Sequence, residues 1–333
     1  MSAEKKKAHI DLALHSQTLR ETLDRRFNYE PLLSAHPQDI RKPFPFLGKT
    51  MRAPIWVSSM TGGTEAAMLI NRNLARACRE FGLGMGLGSC RILLEDNQFP
   101  EHFFLRKYIG DEVPFYANLG IVQIEKALEN GTVGRIAEMV HNLEADGLFI
   151  HVNPLQEWLQ PEGEILHHKP IDLIREFVGQ VDFRVVVKEV GQGMGPGSLR
   201  QLMNLPIEAI EFAAFGGTNF AKLELHRSNS SIQQLLEPIS FIGNDVNDMM
   251  DSVNAIYAEN PKPAVNQLII SGGIRNFLDG YYFLRKSRIP AVYGQASMFL
   301  RFAREDYDTL RDYTMHQLRG LEIASAYLTL KEE

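Results

Sequence analysis

The sequence predicts a (β/α)8 barrel, and three observations carry that reading. Short apolar or β-branched runs recur eight times along the chain, each is followed by a stretch of helical spacing, and each stops in glycine or polar residues. Runs that are apolar throughout suit parallel strands buried on both faces. Strand and helix in alternation give a parallel sheet, and eight such units close on themselves as a TIM-type barrel.

In chain order the expected strands are 55–60, 83–88, 115–120, 148–153, 184–190, 209–215, 267–272 and 291–296. Residues 1–50 form an extension, with Phe44, Phe46 and Leu47 expected to pack on the barrel. The stretches 65–80 and 132–145 are amphipathic and read as helices. The segment 227–260 is longer than the other connections and is expected to hold an additional helix or a lid. The final stretch, 305–330, reads as the closing helix. No linker rich in Pro, Gly or Ser divides the chain, so one domain over 1–333 is expected, with the barrel at 51–333.

Of 333 residues, 44% are hydrophobic and 23% charged, an ordinary composition for a soluble protein. The net charge of −6 argues against nucleic acid as the main partner. It leaves room for a small anionic ligand, because local cations decide: one lysine ~4 Å from a phosphate is worth up to ~4 kcal/mol at intermediate dielectric. No apolar run approaches the roughly 18 residues that span a bilayer, and the charged N-terminus leads into no apolar stretch. Cys78 and Cys90 are too few for a disulfide framework, so the reducing cytosol is the expected compartment.

Active sites of such barrels lie at the C-terminal strand ends. The fourth end brings His151, Asn153, Gln156 and Glu157 close together around Pro154, which has no N–H to extend the strand's pairing. Ser271-Gly-Gly273 after strand seven and Gly294-Gln295 after strand eight fit a backbone phosphate cradle. Lys188 follows Val185-Val-Val187 and ends a buried strand, which costs free energy unless the ammonium meets an anion or acceptors. Three roles suit it: facing the N1/O2 edge of a flavin, forming a Schiff base, or pairing with Glu189 or Glu224. Glu157 suits either a helix cap or Mg²⁺, the latter if the substrate brings phosphate oxygens. No His/Cys spacing offers a zinc site. Cys90 has no base beside it and reads as a buried thiol near the site rather than a nucleophile.

Taken together, the strand ends resemble the type 2, FMN-dependent isopentenyl-diphosphate isomerases. The most specific piece is His151-Val-Asn-Pro-Leu-Gln-Glu157, continuing to Gln160-Pro-Glu-Gly163. Met60-Thr-Gly-Gly63, Gly88-Ser89 with Arg91, Ala117-Asn-Leu-Gly120, Val187-Lys-Glu189, Gly216-Gly-Thr-Asn219 with Glu224 and Arg227, and Gly272-Gly-Ile-Arg275 follow in the right order. The resemblance covers nearly the whole chain. It implies an FMN-linked barrel that converts isopentenyl diphosphate to dimethylallyl diphosphate, adding a proton at the terminal methylene and removing one from C2.

The resemblance also implies reduced FMN, NADPH as the reductant, Mg²⁺, and a homo-oligomer, tetramer or octamer. Ser59, Met60, Thr61, Gly62, Gly63, Ser89, Asn118, Lys188, Thr218, Ser271, Gly272, Gly273, Arg275, Gly294 and Gln295 would hold FMN. Glu157 would bind Mg²⁺, while Lys5, Lys6, His9, Arg91, His151, Asn153 and Gln156 would grip the substrate. Gln156, Glu224 and His151 stand as the catalytic candidates. An electron-rich flavin beside a developing tertiary carbocation gives a physical reason for a redox cofactor in a redox-neutral reaction.

Three positions depart from the family pattern. Lys5-Lys6-Lys7-Ala8-His9 replaces an Arg-Lys start and loses the bidentate fork. Cys90 stands where Gln is usual, and Phe212-Ala-Ala-Phe215 replaces a more polar stretch. The alternatives are another FMN-dependent barrel oxidoreductase and a flavin-binding barrel without catalysis. Hydroxy-acid oxidases need a histidine base at a late Gly-Gly end, where this chain has Gly216-Gly-Thr-Asn219.

Overall fold

The computed structural model describes residues 3–37, 42–59, 65–95, 101–228 and 234–331. Eight parallel strands close into a barrel: β1 (Ile55–Val57), β2 (Gly84–Gly86), β3 (Phe115–Gly120), β4 (Gly147–His151), β5 (Arg184–Lys188), β6 (Ala209–Glu211), β7 (Leu268–Ile270) and β8 (Ala291–Gln295). β8 meets β1 at the seam, with Tyr293 opposite Ile55 and Gln295 opposite Val57.

Each expected run contains a strand; β3 has the expected bounds, and the other ladders stop earlier than the apolar pattern suggests. β6 ends at Glu211 because Ala213 turns to φ 43°, and β7 ends at Ile270 because Gly272 turns to φ 93°. Neither conformation continues a strand. β4 ends at His151, and Pro154 does not terminate it. The proline instead opens the helix Pro154–Leu159 at a first-turn position, where no N–H is needed. Asn153, Glu189 and Ser271 therefore stand in loops, free of the ladder.

The amphipathic stretches fold as helices Glu65–Phe81 and Val133–Asn142. The long connection after β6 holds a short 3-10 helix, Glu237–Phe241, ahead of the helix Val246–Glu259, which Asp245 caps. The closing helix is shorter than expected, Tyr307–Tyr327. The chain then turns extended at Leu328–Leu330, which pairs antiparallel with Phe27–Tyr29 and ties the extension to the C-terminal end of the chain.

Ahead of β1, the strands Phe44–Phe46 and Lys49–Met51 form a hairpin whose tip, Leu47 and Gly48, has φ 47° and 75°. Positive φ at both central residues is the geometry of a tight hairpin turn. The tip seals the N-terminal end of the barrel. Leu47 donates its N–H to Gln267 Oε1 at 2.7 Å and accepts from Tyr116 Oη at 3.3 Å. Phe46 and Leu47 pack with Trp56, Tyr116, Phe149, Val186, Ile269 and Val292, all buried, so the expected packing of the extension is present. No helix among the described residues is long and apolar enough to cross a membrane.

Candidate active site

The opposite end of the barrel is polar. A cavity of about 240 Å³ opens at the C-terminal strand ends. Ser59, Ser89, Asn118, His151, Gln156 and Lys188 line one part of it. Thr218, Ser271, Gly272, Gly273, Gly294 and Gln295 line the rest, so most of the residues expected to hold a cofactor converge.

The backbone cradle rests on particular glycines. Gly272 and Gly273 adopt φ 93° and 73°, and a Cβ on Gly272 would lie 2.2 Å from the Ala214 backbone. Gly217 lies against the same turn, so two bare backbone loops face each other there.

Lys188 ends β5 and is buried, as is Glu211 at the end of β6. Burial pulls the Lys188 ammonium below the usual lysine range, and the Glu211 and Glu189 carboxylates oppose that pull. Glu189 Oε2 accepts three backbone N–H groups, from Gly191 and Gln192 at 2.6 Å and from Gly193 at 2.9 Å. Burial nevertheless pushes its carboxyl up to about 7, and the backbone bonds only moderate that rise.

His151 Nδ1 lies 2.9 Å from Asn118 Oδ1, and Asn118 Nδ2 donates to Leu87 O at 3.1 Å. Because that second bond fixes the amide, Nδ1 carries the proton and Nε2 is left as an acceptor. Burial, aided by the Lys188 charge, pushes the imidazole down to about 3, so it is neutral at physiological pH. As an uncharged acceptor, His151 Nε2 can meet an anionic oxygen only through a bridging water or a protonated partner.

Beside the cavity, Gln156 Nε2 donates to Glu224 Oε1 at 3.1 Å, and Arg227 holds Glu224 Oε2 at 2.6 Å. Gln156 Oε1 accepts from Asn153 Nδ2 at 3.1 Å, which also reaches Glu157 Oε1 at 3.1 Å. Glu157 Oε2 takes bonds from Gln160 Nε2 at 2.7 Å and the Glu164 N–H at 3.1 Å. Asn153 Oδ1 is buried with no partner. Asn153 turns its amide nitrogen toward Glu157, so the metal ligand offered here is the single Glu157 carboxylate, which fits Mg²⁺ completed by substrate and water oxygens.

Several expected residues are not at the cavity wall. Arg91 is drawn to Glu95 at 2.5 Å and Glu164 at 2.7 Å, because nearby carboxylates are the strongest acceptors within its reach. Arg275 is exposed and donates its N–H to Asp279 at 3.0 Å. Lys5, Lys6 and His9 lie on the exposed helix Ala3–Ala13, away from the lining. Met60, Thr61, Gly62 and Gly63 fall outside the described residues.

Cys90 is fully buried, its thiol pushed up to about 12, as suits a packed side chain. Ala213 and Ala214, part of the stretch that departs from the more polar family pattern, line the cavity.

The sequence reading passed over Glu211 and Ser58. Ser58 Oγ and Ser271 Oγ both donate to Glu211 Oε1, at 2.5 and 2.9 Å. The signal was present: Glu211 ends the apolar run Ala209–Glu211, just as Lys188 ends its own.

An isopentenyl-diphosphate delta-isomerase of Nostoc sp. is 35% identical to this chain over 317 residues, covering 93% of the chain and 87% of the relative. One of Rickettsia rickettsii is 32% identical over 343 residues, covering 100% and 96%. The chain belongs to the isopentenyl-diphosphate delta-isomerase family. Within that family, its barrel and strand ends agree with the type 2 class. No family model matches the chain.

Among solved structures, the flavin-binding domain of baker's yeast flavocytochrome b2 aligns with a TM-score of 0.61 at 13% identity, over 90% of this chain and 70% of that one. A mandelate oxidase variant aligns with a TM-score of 0.55 at 13% identity, over 99% and 100%. These two likenesses speak to the fold: the isomerase family member is built on the same barrel.

Proposed function

We propose that the chain isomerises isopentenyl diphosphate to dimethylallyl diphosphate, with reduced FMN, Mg²⁺ and NADPH as the reductant, as a step of isoprenoid biosynthesis. The observation that carries the reading is a single cavity with a buried ammonium, Lys188, facing a glycine backbone cradle, and with the Gln156–Glu224 pair and Glu157 at its side.

The residues fit FMN. Ser59 Oγ is buried without a partner, as expected of a group awaiting a polar ligand. The backbone around Gly272, Gly273 and Gly217 would cradle the phosphate, and Lys188 would stabilise negative charge on the ring. Reduced flavin supplies an electron-rich face beside the carbon that becomes electron-poor.

The chain's own groups divide the remaining work. Glu157 would hold Mg²⁺ on the diphosphate, with Asn153 fixing its carboxylate, Gln156 orienting the substrate and His151 Nε2 reaching it through a bridging water. Glu224 is the titratable group beside the reacting end: its carboxylate takes or returns a proton while Gln156 and Arg227 fix its orientation. Lys5, Lys6, His9 and Arg91 would meet the diphosphate as the 1–50 extension closes over the barrel of 51–333. Diphosphate would compete with Glu95 and Glu164 for Arg91. A homo-oligomer, tetramer or octamer, in the cytoplasm completes the reading.

The test is anaerobic incubation with FMN, NADPH, Mg²⁺ and isopentenyl diphosphate. Dimethylallyl diphosphate should form, and it should vanish when flavin, reductant or Mg²⁺ is left out. A yellow, reducible protein without product would overturn the proposal.

A further inference from the structure

Glu211 lines the cavity and moves no proton in the reaction above. It is the register partner of Lys188 on the adjacent parallel strand, and both side chains line the cavity. It is 1% exposed. Two hydroxyls from different strand ends, Ser58 and Ser271, converge on one of its oxygens, while the other is buried and unpartnered. Gly294 makes that convergence possible. A Cβ there would stand 2.6 Å from Ser58 Oγ and 2.8 Å from Ser271 Cβ, pushing both hydroxyls off the carboxylate. Glycine at 294 thus serves this anchor as well as the cradle. A carboxylate so anchored beside a buried ammonium offsets the desolvation that would otherwise strip the lysine's proton.

We propose that Glu211 is a positioning residue that keeps Lys188 protonated, so that the cavity presents a fixed positive charge to the ring of the cofactor. This rests on the reading that Lys188 faces the flavin. The groups facing Lys188 are Glu211 on β6, Glu189 next along its own strand, and the neutral His151 on β4. Glu189 is held in place through Oε2 by three backbone N–H groups of its own loop, whereas Glu211 sits in register with Lys188 and keeps a buried oxygen with no hydrogen-bond partner.

Two measurements test this, one without any cofactor. In the apoprotein labelled at lysine Cε, the Lys188 resonance is assigned by its loss in Lys188→Met and followed against pH. In Glu211→Gln it should titrate about one pH unit lower than in the unsubstituted protein, the size expected from losing a nearby opposite charge in a buried site. Glu211→Asp should restore most of the difference. The second measurement is FMN affinity of the apoprotein. With Glu211 it should be flat from pH 6 to 8.5. With Gln it should fall with pH by up to about tenfold per unit once Lys188 deprotonates, as linkage of one proton requires. Lys188→Met should abolish that pH dependence in either background. An unchanged lysine titration, or a loss of affinity equal at all pH values, overturns the proposal.

Should Glu211→Gln fail to fold, the pair Ser58→Ala with Ser271→Ala releases the same carboxylate and should shift the lysine in the same direction by less. No shift there counts against the role. Absence of FMN binding in the unsubstituted protein would strike the flavin reading, while the lysine titration still decides whether Glu211 governs Lys188.

Discussion

The two ends of the barrel are built on opposite principles. At the N-terminal end, Trp56, Tyr116 and Phe149 meet as tilted and edge-on rings, with centroids 5.7–6.1 Å apart, under the Leu47 hairpin tip. At the C-terminal end the same strands end in a lysine, a glutamate, a histidine and glycines around a cavity. One end contributes stability through burial, worth about 1.5–3 kcal/mol for each large side chain. The other end costs stability, since it holds buried polar atoms without partners at Ser59, Asn153 and Glu211, where the N-terminal cluster leaves one, Trp56 Nε1. The division teaches that chemistry is confined to one rim and that the strands transmit rigidity between the ends.

Substitutions at the two ends should therefore fail in different ways. The largest effect is expected from Glu224→Gln, which should cut turnover by about 10²–10⁴-fold, the range for losing a general acid or base. Melting temperature and bound FMN should stay near their original values, as read by steady-state assay and flavin absorbance. Trp56→Ala should do the reverse, lowering unfolding free energy by about 3–5 kcal/mol in urea titration while turnover per folded molecule holds. Turnover lost without any stability loss in Trp56→Ala would break the comparison.

Glu157→Gln should weaken Mg²⁺-dependent turnover by about 10–100-fold and raise the Mg²⁺ needed for half-maximal rate, leaving the protein yellow. Loss of the colour in that variant would contradict the separation of metal from flavin residues.

The pH dependence sharpens the contrast further. His151 is pushed from 6.5 down to about 3 in the folded chain. Unfolding takes up a proton between those values, so its contribution to stability falls as pH drops through 6.5 toward 3. Glu189, raised from 4.5 to about 7, acts in the opposite sense and weakens the fold as pH rises from 4.5 to 7. Urea unfolding of His151→Asn at pH 4.5 and 7.5 should show less loss on acidification than the unsubstituted protein does. The smallest expected effect is on the thiols: Cys90, pushed up to about 12, and the buried Cys78 should resist labelling until denaturant is added.

The fold was legible because periodicity is written in composition. Val185-Val-Val187 or Leu148-Phe-Ile150 reads as a buried strand on sight, and eight such runs leave few architectures. Strand ends were less legible, since a ladder stops where the backbone turns, at Ala213 or Gly272, and φ is not written in hydrophobicity. Lys188 stood out as an ion closing an apolar run. Glu211 carries the same mark, but its run Ala209–Glu211 continues into Phe212-Ala-Ala-Phe215, which hides the strand end. Long or terminal side chains were least legible. Arg91 turns to Glu95 and Glu164, contacts that depend on loops the sequence does not position.

The most direct test of a chemically active rim is the reaction of the anaerobic, FMN-reduced protein with isopentenyl diphosphate and Mg²⁺ in deuterated water, with the product analysed by mass and NMR. The account predicts dimethylallyl diphosphate carrying deuterium at the new methyl group, formed by the unsubstituted protein and by folded Trp56→Ala, and nearly absent in Glu224→Gln. Product formed equally well by Glu224→Gln, or none formed by a fully reduced and folded protein, would contradict it.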